Sequence, residues 1–108
     1  MAYDEGIAEH AREMFDQLSI HVQEKKMFGG LCFMLNGNML CGIVGSEMMF
    51  RVGKDQYEEC LSKKSTREMD FTGKKMKGMV YVNTEGVANE IEQWINYSIN
   101  FVGELPEK

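Results

Sequence analysis

Three cysteines and two histidines, Cys32, Cys41, Cys60, His10 and His21, are the residues best suited to nucleophilic chemistry in this chain. A cysteine nucleophile needs a neighbouring base or cation to hold it as the thiolate. No nucleophile motif surrounds any of the three. His10 falls in a helical pattern beside Glu9 and Glu13, and His21 in a loop, so both read as surface histidines. Neither lies in a His-x-x-x-His spacing. An odd cysteine count with no Cys-x-x-Cys gives neither a disulfide framework nor a zinc site. No catalytic residue, metal ligand or cofactor-binding residue is assigned, and the chain is read as non-enzymatic with no cofactor.

The remaining candidates are weaker chemistry. Gly73 and Gly78 have phosphate-loop spacing, but Met79-Val80 stands where Lys-Ser/Thr is required. Lys63, Lys64, Arg67, Lys74, Lys75 and Lys77 form a basic stretch that reads as a solvated connection. Ten methionines are many for 108 residues. They read first as core filler and second as an adaptable binding surface, since thioether chains repack easily. Met48-Met49 and Met76-x-x-Met79 are the close pairs.

The elements that must position these groups are organised around residues 25–44. Leu31–Leu35 and Met39–Val44 are apolar runs separated by Asn36-Gly37, which supplies the two positive φ angles of a type I′ hairpin turn. With those two residues as the loop, Leu35 faces Asn38, Met34 faces Met39, Phe33 faces Leu40 and Cys32 faces Cys41. Strand side chains alternate between faces. One face then carries Cys32, Met34, Met39, Cys41 and Ile43. The other carries Leu31, Phe33, Leu35, Leu40 and Val44, with Gly42 among them. An antiparallel sheet with one wet face alternates apolar with polar, so two apolar faces imply a cover on each side. The short chain has few helices to supply both, which points to a second subunit or a partner protein. The facing Cys32 and Cys41 read as buried reduced thiols, with a redox pair as the alternative.

Before the hairpin, residues 4–18 form a helix capped by Asp4, with Ile7, Ala11, Met14, Phe15 and Leu18 on one stripe. Residues 22–28 form a polar edge strand, where Lys25-Lys26 discourages edge pairing. Gly29-Gly30 reads as a bend where this strand enters the hairpin. After it come a strand over Met48–Val52, a short helix over Lys54–Ser62 with Tyr57, Cys60 and Leu61 inward, and a polar connection over Lys63–Lys77. A strand over Met79–Val82 follows. The last helix is capped by Asn83 or Thr84, buries Val87, Ile91, Trp94, Ile95 and Ser98, and closes at Gly103 and Pro106. Strands and helices cluster instead of alternating, which makes the class α+β: helix, antiparallel strands with a central hairpin, helix, strand, C-terminal helix.

Composition bounds the rest. A chain of 108 residues is one domain by size, here 1–108. Apolar residues make up 44% and charged residues 27%, as in a globular protein. A net charge of -5 with pI near 5.0 argues against direct nucleic-acid binding. No apolar run suits a membrane helix, and the acidic start lacks a signal peptide's pattern, so a cytoplasmic location is expected.

Lys26-Met27-Phe28-Gly29-Gly30-Leu31 resembles the TfoX/Sxy family in its N-terminal domain. The similarity continues through Leu35-Asn36-Gly37-Asn38-Met39, Met49-Phe50-Arg51-Val52 and Met69-Asp70-Phe71-Thr72-Gly73 to Trp94. The Met-Asp-Phe-Thr-Gly stretch resembles the stand-alone single-domain members. The resemblance implies a secretion-chaperone-like α+β domain, often dimeric, linked to regulation of bacterial competence genes. It brings no catalytic residues, and Met27, Phe28, Gly29 and Gly30 enter as structural motif residues. With the sequence ending at Lys108, the family's C-terminal domain is expected to be absent, and with it DNA-associated or transcriptional activity. The reading is therefore a regulatory or protein-interaction module, with a homodimer or protein partner docking on the sheet face of Met34, Met39, Cys32 and Cys41. The alternative is a small-molecule or metal-binding domain with its pocket between sheet and helices. A third reading is an enzyme using His10 or His21.

Overall fold

The computed structural model describes residues 3–27, 29–68 and 78–106, with nothing said of the side chains of Met27 and Glu68. The elements run α1 (Glu5–Gln17), β1 (Gln23–Met27), β2 (Gly30–Leu35), β3 (Asn38–Val44), β4 (Glu47–Arg51), α2 (Lys54–Leu61), β5 (Thr66–Glu68), β6 (Met79–Val82) and α3 (Thr84–Val102). The strands form one antiparallel sheet in the order β1-β2-β3-β4-β6-β5. This is the α+β class expected from the sequence.

Local chemistry sets the helix starts. Asp4 accepts from the Gly6 and Ile7 amides at 2.8 and 3.3 Å, satisfying two free donors of α1. Asn83 caps α3 by accepting from Gly86 N at 2.9 Å. Thr84, the other candidate cap, instead donates to the Ser46 carbonyl at 2.8 Å and ties α3 to the β3–β4 turn. Helix α3 bends at Glu90, whose φ of -134° and ψ of 21° leave the helical region. No proline or glycine marks that bend in the sequence.

The β2–β3 turn is as read: Asn36 and Gly37 take φ of 53° and 81°, and Leu35 pairs with Asn38 and Met34 with Met39. Beyond that the register slips. A bulge between Phe33 and Met34 pairs Phe33 with Cys41 and Cys32 with Gly42, leaving Leu40 as the extra residue. The expected Phe33–Leu40 and Cys32–Cys41 pairs are therefore corrected. Cys41 turns to the helix face with Leu40 and Ile43, while Cys32 stays on the other face.

Two further expectations change. Gly30 opens β2 instead of bending, and pairs directly with Met27 across the β1–β2 hairpin connection that holds Gly29. The polar connection after α2 contains β5, which takes the sheet edge beside β6. Its residues 69–77, including Met69, Phe71, Lys74, Lys75, Met76 and Lys77, lie outside the described residues, as does Phe28.

The three helices cover one sheet face. Phe15 of α1, Tyr57 and Cys60 of α2, and Trp94 and Ile95 of α3 pack against Leu31, Phe33, Phe50, Val80 and Val82. The Phe15 and Phe33 rings meet at 5.1 Å, and Phe50 and Trp94 at 6.1 Å, as tilted aromatic pairs. Arg12 fixes α1 to the sheet edge through two 2.7 Å bonds to the Glu24 carboxylate, and an ion pair to Glu9 within α1 orients its guanidinium.

Candidate interaction face

The opposite sheet face is the candidate site, and the strand register builds it row by row. Directly paired residues share a face. Lys25 pairs with Cys32, Cys32 with Gly42, Gly42 with Met49, Met49 with Tyr81 and Tyr81 with Arg67. A second row joins Gln23, Met34 and Met39, and its far side holds the Arg51–Met79 pair. Each row is apolar or thioether in the middle and carries a cation toward its end.

Among the described residues, this second apolar cluster contains Cys32, Met49, Met79 and Tyr81, with Met34, Met39 and Val44 packed against it and no residue from any helix. Its centre is buried: Cys32 and Met49 are 0% exposed. Met34, Met39 and Val44 are half-buried and reach the surface. Of the four residues expected to make this face, Met34 and Met39 are accessible, Cys32 lies beneath them, and Cys41 is on the helix side.

Cations frame the patch. Lys25 is exposed at the β1 edge. Arg67 lies over the Tyr81 ring at 4.2 Å and pairs with Glu47 at 2.5 Å. Arg51 lies over the Phe101 ring at 5.5 Å, with Nη1 at 3.5 Å from the Met39 carbonyl. The role of Arg51 was not legible as a sequence motif, because the aromatic ring beneath it comes from the far end of α3.

The backbone accounts for Gly29 and Gly30 of the Met27-Phe28-Gly29-Gly30 motif, while Phe28 and the Met27 side chain lie outside what the structure describes. Gly29 has a φ of 73°, a left-handed conformation that glycine adopts without cost. At Gly30 the reason is contact: a Cβ there would lie 2.0 Å from the Ile43 carbonyl oxygen.

The nucleophile candidates do not assemble. Cys32, Cys41 and Cys60 are free, buried thiols. Burial raises the thiol pKa of all three, that of Cys60 to about 11, which disfavours the thiolate. His10 of α1 is half-buried beside α3, its Nε2 buried without a hydrogen-bond partner among the described residues. It borders two clefts, of about 550 and 350 Å³, and no cysteine lines either among the described residues. His21 is exposed. Among the described residues there is no group of three or more His, Cys, Asp or Glu that could hold a metal ion. No helix among them is long and apolar enough to cross a membrane.

A family model for the TfoX N-terminal domain matches residues 10–102. The chain belongs to the TfoX N-terminal domain family. The match runs from α1 to the last residue of α3 and so takes in the whole sheet. No curated protein and no solved structure is significantly similar to the chain.

Proposed function

We propose that this TfoX-type domain is a non-enzymatic regulatory module that docks a partner protein on the helix-free face of its sheet. The observation that carries the reading is the half-buried Met34–Met39 pair in an apolar cluster to which no described helix contributes a residue. Methionine surfaces adapt to partners because the thioether chain is unbranched and polarisable.

The rim selects the occupant. Lys25 and Arg51 sit on this face with no ion-pair partner among the described residues, in a chain whose net charge is -5, while Arg67 and the acid Glu47 neutralise one another. A two-fold dimer through one patch sets that patch against itself, so two copies would bring cation against cation. The better complement is an acidic protein segment with apolar anchors for the methionines. The setting we infer is regulation of bacterial competence genes, which the family resemblance of the sequence implies.

Met34→Glu and Met39→Glu test the reading. They abolish partner binding while the melting temperature stays near that of the parent, because both side chains are half-buried. Unchanged binding in the double variant overturns it. Light scattering separates the homodimer: a dimer that these substitutions dissociate assigns the face to a second copy.

A further inference from the structure

Strand β4 ends at Arg51 and α2 begins at Lys54, and the link between them forms a tight cradle. Gly53 and Gly78 both have positive φ, 80° and 95°. The Gly78 carbonyl accepts from Val52 N at 2.7 Å and from Gly53 N at 3.0 Å. A Cβ on Gly53 would meet the Phe101 ring at 2.3 Å, so only the bare glycine lets α3 bring that ring in. Beside it opens a cavity of about 540 Å³, bordered by Met39, Arg51, Lys54, Asp55, Met79 and Phe101.

Arg51 is the informative group. It is half-buried and has no ion-pair partner among the described residues. Among the described residues its side chain makes one hydrogen bond, the 3.5 Å contact to Met39 O, at the limit of a useful bond. The ring of Phe101 supports the guanidinium from one side, leaving most of its five donors for a planar acceptor. Arg51 and Lys54 against Asp55 leave one net positive charge, which suits a monoanion. Two thioethers and one aromatic ring suit an apolar body. The volume lies within the ~300–1,000 Å³ of small-molecule sites.

We propose that this cavity binds a small organic carboxylate. Arg51 takes the carboxylate through its paired donors, Lys54 adds charge, and the apolar body rests on Met39, Met79 and Phe101. The cavity shares Met39 and Arg51 with the docking face, and a titration of the protein alone with carboxylates, with no partner protein present, reads it separately from docking.

Nitrogen-15 NMR titration with benzoate and octanoate tests it, with neutral benzamide and inorganic phosphate as comparators. The expected result is saturable shifts of the Gly53, Gly78 and Phe101 amides by at least one carboxylate. Benzamide and phosphate should bind at least tenfold more weakly. Arg51→Gln should weaken carboxylate binding at least tenfold, with Arg51→Lys intermediate. Met79→Glu, which sets a negative charge in the wall, should abolish it and serves if Arg51→Gln fails to fold. Absence of saturable shifts, equal binding of benzamide or phosphate, or full binding by a folded Arg51→Gln or Met79→Glu variant overturns the proposal.

Discussion

Gly30 lies so close to Ile43 that a Cβ at position 30 would come within 2.0 Å of the Ile43 carbonyl oxygen. The neighbour is backbone in the paired strand and cannot swing aside. Gly30→Ala therefore separates β2 from β3 at the first residue of β2. We expect a loss of about 2 kcal/mol or more, in the range of overpacked sites. Gly29→Asn should cost under ~1 kcal/mol, because asparagine tolerates positive φ and nothing lies within 4 Å of a Cβ at position 29. Urea denaturation of the two variants checks the order. Equal losses would contradict the close-approach account.

The bulge makes a second prediction. Cys32 and Cys41 sit on neighbouring strands but on opposite faces of the sheet, and a disulfide needs its Cβ vectors directed toward one another. Treating the folded protein with a mild oxidant should leave all three thiols titratable after unfolding. A peptide map containing a 32–41 crosslink would show that the register is the unbulged one.

Burial of the thiols also predicts a pH dependence. Burial pushes the Cys60 thiol up to about 11, and burial raises Cys32 and Cys41 as well. In the unfolded chain a thiol ionises near ~8.5. Between those values the unfolded chain gives up protons that the folded chain retains. This contribution is thus fully present below about pH 8.5 and is lost as pH rises toward 11, by up to roughly 1.4 kcal/mol per unit of difference. Urea denaturation at pH 7.5 and pH 10 should show the fall, and Cys60→Ala should reduce it. An equal fall in the parent and the variant would remove Cys60 as its cause.

Much of the fold was legible because short-range chemistry decided it. Asp4, Asn36-Gly37 and Asn83 each bond or bend only their near neighbours, and each does what its type dictates. The apolar character of both sheet faces was legible too. The register beyond Phe33 was not, because Met39-Leu40-Cys41 are all apolar and a one-residue slip leaves the pattern unchanged. Strand β5 was missed for the opposite reason: Thr66-Arg67-Glu68 is polar and short, and only its pairing with β6 makes it a strand.

Within the candidate site, Met34 and Met39 were found from their position beside the turn. The rim was not, because Arg51 acquires its setting from Phe101, which the chain returns to it only at the end of α3. The bend at Glu90 carries no local signal and arises in a helix packed along both α1 and the sheet.

The docking face is the central claim, and one comparison tests it most directly. The tagged protein and its Met34→Glu/Met39→Glu variant would each capture partners from nuclease-treated native lysate at low and high salt, with quantitative mass spectrometry as the readout and matched melting temperatures as the control. The account predicts an acidic protein retained stoichiometrically by the parent, lost by the variant and weakened by salt as the cationic rim is screened. Capture of the same proteins by both, or of none by either, would contradict it.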